Sequence, residues 1–324
     1  MNMKKVYLIT GGAGFIGSSL ADSLLTKGHQ IIVIDNFNNY YNPALKRENV
    51  SPHLKDPNYK LYESDICDEK MMEKIFTENH IDYIVHLAAK AGVRPSLEDP
   101  IGYAMSNLIG TNIILEQAHK HNIKKLVLAS SSSVYGKNEK MPFSEVDNVD
   151  KAISPYAASK KSNEVLAHVY HEIYHLNIIL LRFFTVYGPR QRPDLAINRF
   201  VSALEEDRPI DLYGDGTSFR DYTFIDDIVS GIEASIKYLE DHESVYEIIN
   251  LGSNSPIKLK EMVQIIERVM DKKAKFNHLP MQAGDVEGTY ADISKAARLL
   301  NYKPSISFED GIKEFLKWKR RTNK

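Results

Sequence analysis

The stretch VYLITGGAGFIGSSLADSLLTKGHQIIVID, residues 6–35, decides the fold. It opens on the apolar run Val6–Ile9, breaks at a glycine-rich turn, continues as a helical pattern from about Phe15 to Lys27, and closes with a second apolar run ending at Asp35. Short apolar runs bounded by glycine read as buried strands, so the succession is a βαβ unit. Gly12, Gly14 and Gly17 fit the spacing G-x-G-x-x-G, and Gly11, Gly14 and Gly17 fit G-x-x-G-x-x-G. In both readings the missing Cβ atoms permit a tight turn, close approach of backbone N–H groups to a pyrophosphate, and close packing of helix on strand. The helix N-terminus that follows favours the negative charge. Asp35 lies 18 residues beyond Gly17, where a carboxylate accepts hydrogen bonds from the ribose 2′- and 3′-hydroxyls and repels a 2′-phosphate. Asn36 brings no charge to neutralise such a phosphate, so the pattern favours NAD over NADP. Asp65 and Ile66, after the third short strand, are placed to meet the adenine, with an ordinary loop aspartate as the alternative reading.

Outward from this unit the rhythm continues. A helix around Asp68 to Glu78 leads to the strand DYIVHLAA, a helix from about Pro100 to His121 to KKLVLAS, and a helix from about Pro155 to His175 to NIILLRFF. Strands that are continuously apolar are buried on both faces, which predicts a parallel sheet covered by helices on each side. The expected fold class is α/β: a Rossmann-type, doubly wound parallel sheet with a smaller, mixed α/β C-terminal lobe for substrate. Residues 1–188 read as the NAD-binding part and 189–324 mainly as the lobe, with a segment at about 226–251 returning to the main sheet.

Composition narrows the function. Lys and Arg total 41 against 43 for Asp and Glu, so no global field argues for nucleic acid or an anionic membrane, and anion recognition must be local. Cys67 is the only cysteine, which excludes an intrachain disulfide and a cysteine-rich metal site and fits a reducing compartment. The apolar run at the N-terminus is too short for a signal peptide, and no stretch reaches the roughly 18 apolar residues of a membrane span. A cytoplasmic enzyme is the expectation.

Chemistry enters at SPYAASKK, which sets Tyr156 and Lys160 four apart near the start of a helix, facing one site. A tyrosine with its ordinary pKa near 10 is a poor base at neutral pH, and nearby positive charge stabilises its phenolate. In isolation the pair is common on surface helices. The strand KKLVLASSSSVYG ends in Ser130–Ser133, where a doubly wound fold gathers its ligands, at the carboxyl ends of the strands. Four serines also suit a plain strand end, but beside the glycine loop, Asp35, Tyr156 and Lys160 they offer hydroxyls to a reacting alcohol. HEIYH, residues 171–175, matches the H-E-x-x-H zinc signature. It lies at the far end of the Tyr156 helix with a strand beginning almost at once, where histidines are favoured by the helix dipole without any metal. No metal is expected.

These residues together resemble the extended short-chain dehydrogenase/reductase family, and within it the nucleotide-sugar 4-epimerases. The phrases TGGAGFIGS, HLAAKAGVRPS, SSSSVYG, SPYAASK, RFFTVYGPRQRPD and GDGTSFRDYTFIDD carry the resemblance through nearly the whole chain. It implies NAD, a UDP-sugar substrate and a homodimer built on a four-helix contact. It implies a cofactor set of Gly11, Gly14, Phe15, Ile16, Gly17, Asp35, Asn36, Asp65, Ile66, Ala88, Lys90, Tyr156, Lys160 and Phe183. Tyr156 would take the proton from the sugar 4-hydroxyl as hydride leaves C4 for NAD, with Lys160 gripping the nicotinamide ribose and Ser131 assisting; Ser132 and Ser133 are neighbouring candidates. The 4-keto sugar would then turn and receive hydride on its other face. Relatives that dehydrate or decarboxylate commonly carry an acid just after that hydroxyl, and this chain has Ser132 and Ser133 there.

For the sugar, AGVRPS and FFTVYGPRQRPD resemble the UDP-glucuronate 4-epimerases, in which the arginine at position 192 pairs with the uronate carboxylate. Many of that subgroup read Trp-Gly where this chain has Arg190 and Gln191, so UDP-glucose and UDP-N-acetylglucosamine stand as alternatives. Decarboxylation and a non-catalytic NAD-binding role are further ones. The resemblance also assigns substrate contacts to Arg94, Thr185, Arg220 and Asp285. Arg220 is the phosphate candidate; a salt bridge to Asp221 or Asp226 is its plainer reading. Thr289 stands where galactose-type epimerases often carry a pocket-narrowing tyrosine.

Overall fold

A computed structural model describes residues 4–280 and 286–322. In chain order the strands are β1 (Val6–Thr10), β2 (Gln30–Asp35), β3 (Tyr59–Glu63), β4 (Tyr83–His86), β5 (Lys125–Ser131) and β6 (Asn177–Phe183). Short strands β7 (Thr185–Tyr187), β8 (Ile210–Tyr213) and β9 (Phe219–Phe224) precede β10 (Tyr246–Leu251), β11 (Pro256–Lys258) and β12 (Phe276–Leu279). The helices are α1 (Phe15–Thr26), α2 (Pro43–Val50), α3 (Glu69–Glu78), α4 (Val93–Glu98), α5 (Pro100–Ala104), α6 (Gly110–Lys120) and α7 (Pro155–Tyr174). After them come α8 (Ala196–Glu205), α9 (Ile225–Asp241), α10 (Leu259–Met270), α11 (Ser294–Leu300) and α12 (Phe308–Thr322).

The main sheet runs β10-β6-β5-β4-β1-β2-β3, every pairing parallel. The order reverses between β1 and β4, which opens a crevice at their carboxyl ends. Alternate side chains feed opposite faces. Ile9, Val33, Val127 and Ile179 pack with Leu20 and Leu24 of α1 and Ile228 and Ile232 of α9. Leu8, Ile32, Leu126 and Ile178 pack with Ile75 of α3, Ile114 of α6 and Ala167 of α7. Each fully buried aliphatic side chain contributes about 1.5–3 kcal/mol, so burial on both faces is what holds a doubly wound sheet together. Outside the main sheet, β9 pairs with β7 in parallel and with β11 antiparallel, and β8 pairs with β12. Asp221 stitches these parts by accepting the N–H groups of Ser253 (2.6 Å), Asn254 (3.1 Å) and Ala291 (3.1 Å).

Three local features position the crevice. Ser154 caps α7 through the Ala157 N–H, with Pro155 in the first turn, which fixes where Tyr156 emerges. The expected single helix from Pro100 is continuous to Lys120 but contains a π-turn at Met105–Ile109. There the Asn107 amide clamps the main chain of Lys90, accepting its N–H (2.8 Å) and donating to its carbonyl (3.0 Å), and it also donates to Ser159 (3.0 Å). Behind the serine run, Arg182 of β6 forms a bidentate pair with Glu164 of α7 (2.8 and 2.9 Å), both side chains 1% exposed. Ser130 donates to Glu164, and the Tyr135 hydroxyl accepts from Arg182 and donates to Asn250. A charge pair this deep is tolerable only because its hydrogen bonds are filled.

The zinc-like motif is absorbed by helix termination: the His171 ring bonds the Leu176 carbonyl (2.8 Å), and His175 sits past the helix end at φ 54°. Among the described residues no helix is long and apolar enough to cross a membrane, and no group of three or more His, Cys, Asp or Glu is arranged to hold a metal.

Candidate active site

A cavity of about 520 Å³ crosses the carboxyl ends of the main strands and runs into the lobe. At one end it is lined by Gly11, Gly14 and Gly17, and by Phe15 and Ile16 of the first turn of α1. Gly11 has φ +69°, and a Cβ there would lie 2.8 Å from the Ala88 nitrogen; a Cβ on Gly17 would lie 2.4 Å from the Gly11 carbonyl oxygen. Gly12 instead packs toward Val33 and is not in the lining. The Gly11/Gly14/Gly17 spacing is therefore the one that faces the cavity. Gly14 caps α1 without a side-chain hydrogen bond, leaving first-turn N–H groups for an anion.

Beside this loop Asp35 accepts from Ala13 N–H (3.2 Å), Phe37 N–H (2.9 Å) and the Lys46 ammonium (3.1 Å), and both charged groups are buried. Asn36 donates to Asp65 (2.7 Å), which also accepts the Cys67 N–H (2.9 Å). Burial works to raise the Asp65 carboxyl, but these hydrogen bonds and Lys90 outweigh it and hold it below the ordinary range. Ile66, Ala88 and Lys90 complete this wall, and the Lys90 ammonium rests on Asp99 (2.5 Å). Ala88 is held from behind. Its N–H and that of Leu87 both donate to the Thr10 hydroxyl, so the Thr10 proton goes to His86 Nδ1 (2.7 Å) and His86 Nε2–H donates to Thr111 (2.9 Å). Burial, helped by the charge of Lys160, pushes His86 down to about 3, and the ring is neutral.

Midway, Tyr156, Lys160, Ser131, Ser132, Ser133 and Phe183 converge. The Ser131 oxygen accepts from the Ser133 N–H (3.2 Å) and the Ser133 hydroxyl (3.0 Å), which leaves its own proton for the Tyr156 oxygen beside it. Burial raises the Tyr156 phenol above its ordinary range, opposed by the Ser131 hydroxyl and the Arg192 guanidinium. Lys160 donates to the Ala129 carbonyl (2.8 Å), and burial pushes it down to about 8. Ser130, next in line on β5, points through the other face of the sheet to Glu164.

At the other end, Thr185, Arg192, Arg220 and Thr289 line the cavity. Arg192 forms a bidentate pair with Asp194 (2.9 and 2.8 Å) and lies over the Tyr40 ring. Arg220 donates to the carbonyls of Phe219 (2.8 Å) and Glu287 (3.4 Å), while its neighbour Asp221 is turned to the stitch described above. Arg94 lies over Tyr213, 5.3 Å from the ring centre, and it is the adjacent Val93 that lines the cavity. Asp285 is outside the described residues.

Sequence reading missed Lys46, Asn107, Tyr40, Asp194 and the Thr10–His86 pair. For Lys46 a signal existed, because Asn42-Pro43 is a helix start that would have placed α2 beside Asp35.

An uncapped glycine turn at the sheet's switch point, next to a Tyr/Lys/Ser group, defines the class of dinucleotide-dependent enzymes that act on an alcohol carbon. The chain belongs to the GDP-mannose 4,6-dehydratase-like family of extended short-chain dehydrogenases/reductases, and residues 8–315 match the family described as GDP-mannose 4,6 dehydratase. It is 45% identical over 315 residues to the UDP-glucuronate 4-epimerase of Thermodesulfobacterium geofontis, covering 97% of this chain and 96% of the relative. Its structure is similar to that of UDP-glucuronic acid 4-epimerase from Bacillus cereus in complex with UDP-glucuronic acid and NAD, at 36% identity and TM-score 0.91, covering 98% and 99% of the two chains. It is also similar to UDP-glucose 4-epimerase from Thermotoga maritima with UDP-glucose, at 31% identity and TM-score 0.89, covering 98% and 100%.

Proposed function

We propose that this chain is an NAD-dependent isomerase that interconverts UDP-glucuronate and UDP-galacturonate at C4. The observation that carries the reading is one cavity in which Tyr156 and Ser131 stand between the glycine loop with Asp35 and an arginine, Arg192, that lines the opposite end. The glycine end fits the cofactor: a Cβ at Gly11 or Gly17 would fill the cradle, and the α1 N-terminus is open to a pyrophosphate. Gly11, Gly14, Phe15, Ile16 and Gly17 would hold the phosphates, Asp35 with Asn36 the adenosine ribose, Asp65 and Ile66 the adenine, and Ala88, Lys90, Lys160 and Phe183 the nicotinamide side. Residues 1–188 with the returning segment 226–251 serve the cofactor in this reading, and 189–324 chiefly the UDP-sugar.

NAD, when bound, would supply a hydride acceptor for C4 that is restored within the same turnover, so the overall reaction would be redox-neutral. The residues do the rest. Tyr156 takes the 4-hydroxyl proton and Ser131 steadies the oxygen by a hydrogen bond. Burial alone keeps the phenol protonated, so the base form depends on positive charge, of which Arg192 supplies part from this chain. Ser132, Ser133 and Thr185 would hold the sugar, and Arg220 and Arg94 the diphosphate and its neighbours, with Asp285 assigned by resemblance to the uridine ribose. Among the described residues of the cavity lining the carboxylates are Asp35 and Asp65, and both lie at the adenosine end rather than beside Tyr156, where dehydration would need an acid. The test is incubation with NAD and, separately, UDP-glucuronate, UDP-glucose and UDP-N-acetylglucosamine, with each 4-epimer followed by chromatography. UDP-galacturonate alone is expected, and turnover of a neutral sugar only would overturn the substrate assignment.

A cytoplasmic homodimer completes the reading. Ile101, Met105 and Ile109 repeat at four-residue spacing on the α5–α6 run, Val165, Val169 and Ile173 do the same on α7, and all six are exposed. An apolar stripe on two helices suits a four-helix contact with a second copy. Val169→Glu should convert a dimer to a monomer in light scattering.

A further inference from the structure

Arg192 is held in two directions. Asp194 takes the Nε and Nη2 edge of its guanidinium, and the Tyr40 ring lies under its face, 5.1 Å from the ring centre. Tyr40 is itself anchored, since its hydroxyl donates to the Ala91 carbonyl (2.7 Å). A guanidinium is planar, and its donors form a fixed fork, so fixing one edge and one face fixes the direction of the rest. What remains is the Nη1 side of a group that lines the cavity containing Tyr156. The Asp194 side chain is 44% exposed and is not in the cavity lining.

We propose that Asp194 is a positioning residue for the uronate: it pins the outer edge of Arg192 on the Tyr40 ring so that the inner edge meets the sugar carboxylate. The inference rests on the uronate reading above and adds a reason for the pair. Oxidation at C4 makes the uronate a β-keto acid. If the C5–C6 bond swings parallel to the π orbital of the C4 carbonyl, it breaks, its electron pair passes into the keto group as an enolate, carbon dioxide leaves, C5 takes a proton from solvent, and the 4-keto pentose left behind takes back the hydride removed in the oxidation. A carboxylate fixed by a rigid Arg192 edge is kept out of that alignment, whereas one held by a swinging Arg192 is not. Asp194 touches neither substrate nor cofactor; it acts through Arg192.

The experiment compares wild type, Asp194→Asn and Asp194→Ala as NAD-loaded proteins. On a Tyr156→Phe background, which blocks turnover, calorimetry gives the affinities for UDP-glucuronate, UDP-glucose and UDP. With Tyr156 intact, chromatography gives the ratio of UDP-galacturonate to decarboxylated UDP-pentose. Losing charge-assisted bonds to Arg192 should weaken UDP-glucuronate on the order of tenfold in Asp194→Ala and less in Asp194→Asn. UDP affinity stays level and the pentose share rises. Equal or tighter uronate binding without added pentose would overturn the proposal and make Asp194 a competitor of the substrate. Equal losses for UDP and UDP-glucuronate would reduce Asp194 to a structural role. Wild type that holds UDP-glucuronate no better than UDP-glucose would instead defeat the uronate reading, and this inference with it.

Discussion

At the glycine end of the cavity the surface offered to a ligand is main chain, drawn from residues 11–17 and stiffened by contacts that a single Cβ would break. At the opposite end it is long side chains, Arg192 and Arg220, aimed by Asp194, Tyr40 and backbone carbonyls that come from loops far apart in sequence. Main chain has little freedom to vary, and it suits a ligand that does not change. Side chains can be exchanged one at a time, and they suit a ligand that differs between relatives, as the sugars of the Bacillus and Thermotoga enzymes do.

The contrast can be broken first between the two ends. Tyr156→Phe should keep affinity for NAD and for the UDP-sugar while kcat falls about 10²–10⁴-fold, the usual contribution of a general base. Lost affinity at either end would mean that Tyr156 is part of a binding wall.

The next largest effect belongs to His86, behind the cofactor wall. Its folded pKa, about 3, is below the ordinary 6.5, so at intermediate pH the unfolded chain binds a proton that the folded chain refuses. The stability it contributes is complete above pH 6.5 and is lost as pH falls toward 3, by up to about 5 kcal/mol. Urea midpoints of wild type and His86→Asn should converge on acidification. A constant gap would show that the ring does not titrate in that window.

Gly17→Val tests the main-chain end directly. Its Cβ would meet the Gly11 carbonyl, and a clash with backbone costs about 1–3 kcal/mol, so both the melting temperature and NAD affinity should drop while UDP affinity holds. The smallest effect should come from Ser130→Ala, which removes one hydrogen bond to Glu164, about 1 kcal/mol, without changing kcat. A fall in kcat as large as that of Ser131→Ala would blur the line drawn through the serine run.

That line shows what was legible in the sequence. The turn, the helix and Asp35 lie within one βαβ unit, so spacing alone placed them, and Tyr156 and Lys160 share a helix face by the same local rule. Of the serines, strand alternation separates Ser130 from Ser131, because Leu128 and Ala129 before them already face opposite sides of β5. Other parts depend on contacts with no local period. Arg192 on Tyr40 spans more than a hundred residues, and the π-turn that lets Asn107 hold Lys90 leaves no mark in an apolar helical pattern. Arg190 closes onto Asp22 of α1 (2.8 Å) from a left-handed backbone conformation, and only the folded chain brings those two together.

The buried Arg182–Glu164 pair has a consequence for descent. Removing either partner strands a charge, at about 3–5 kcal/mol, a large share of the roughly 5–15 kcal/mol that keeps a domain folded. Either single substitution is therefore expected to be strongly destabilising, because the partner left behind stays buried and charged. In the Arg192–Asp194 pair the acid is 44% exposed, so substituting Arg192 leaves no fully buried carboxylate behind. Single substitutions are therefore expected to be tolerated at Arg192 before they are tolerated at Arg182 or Glu164.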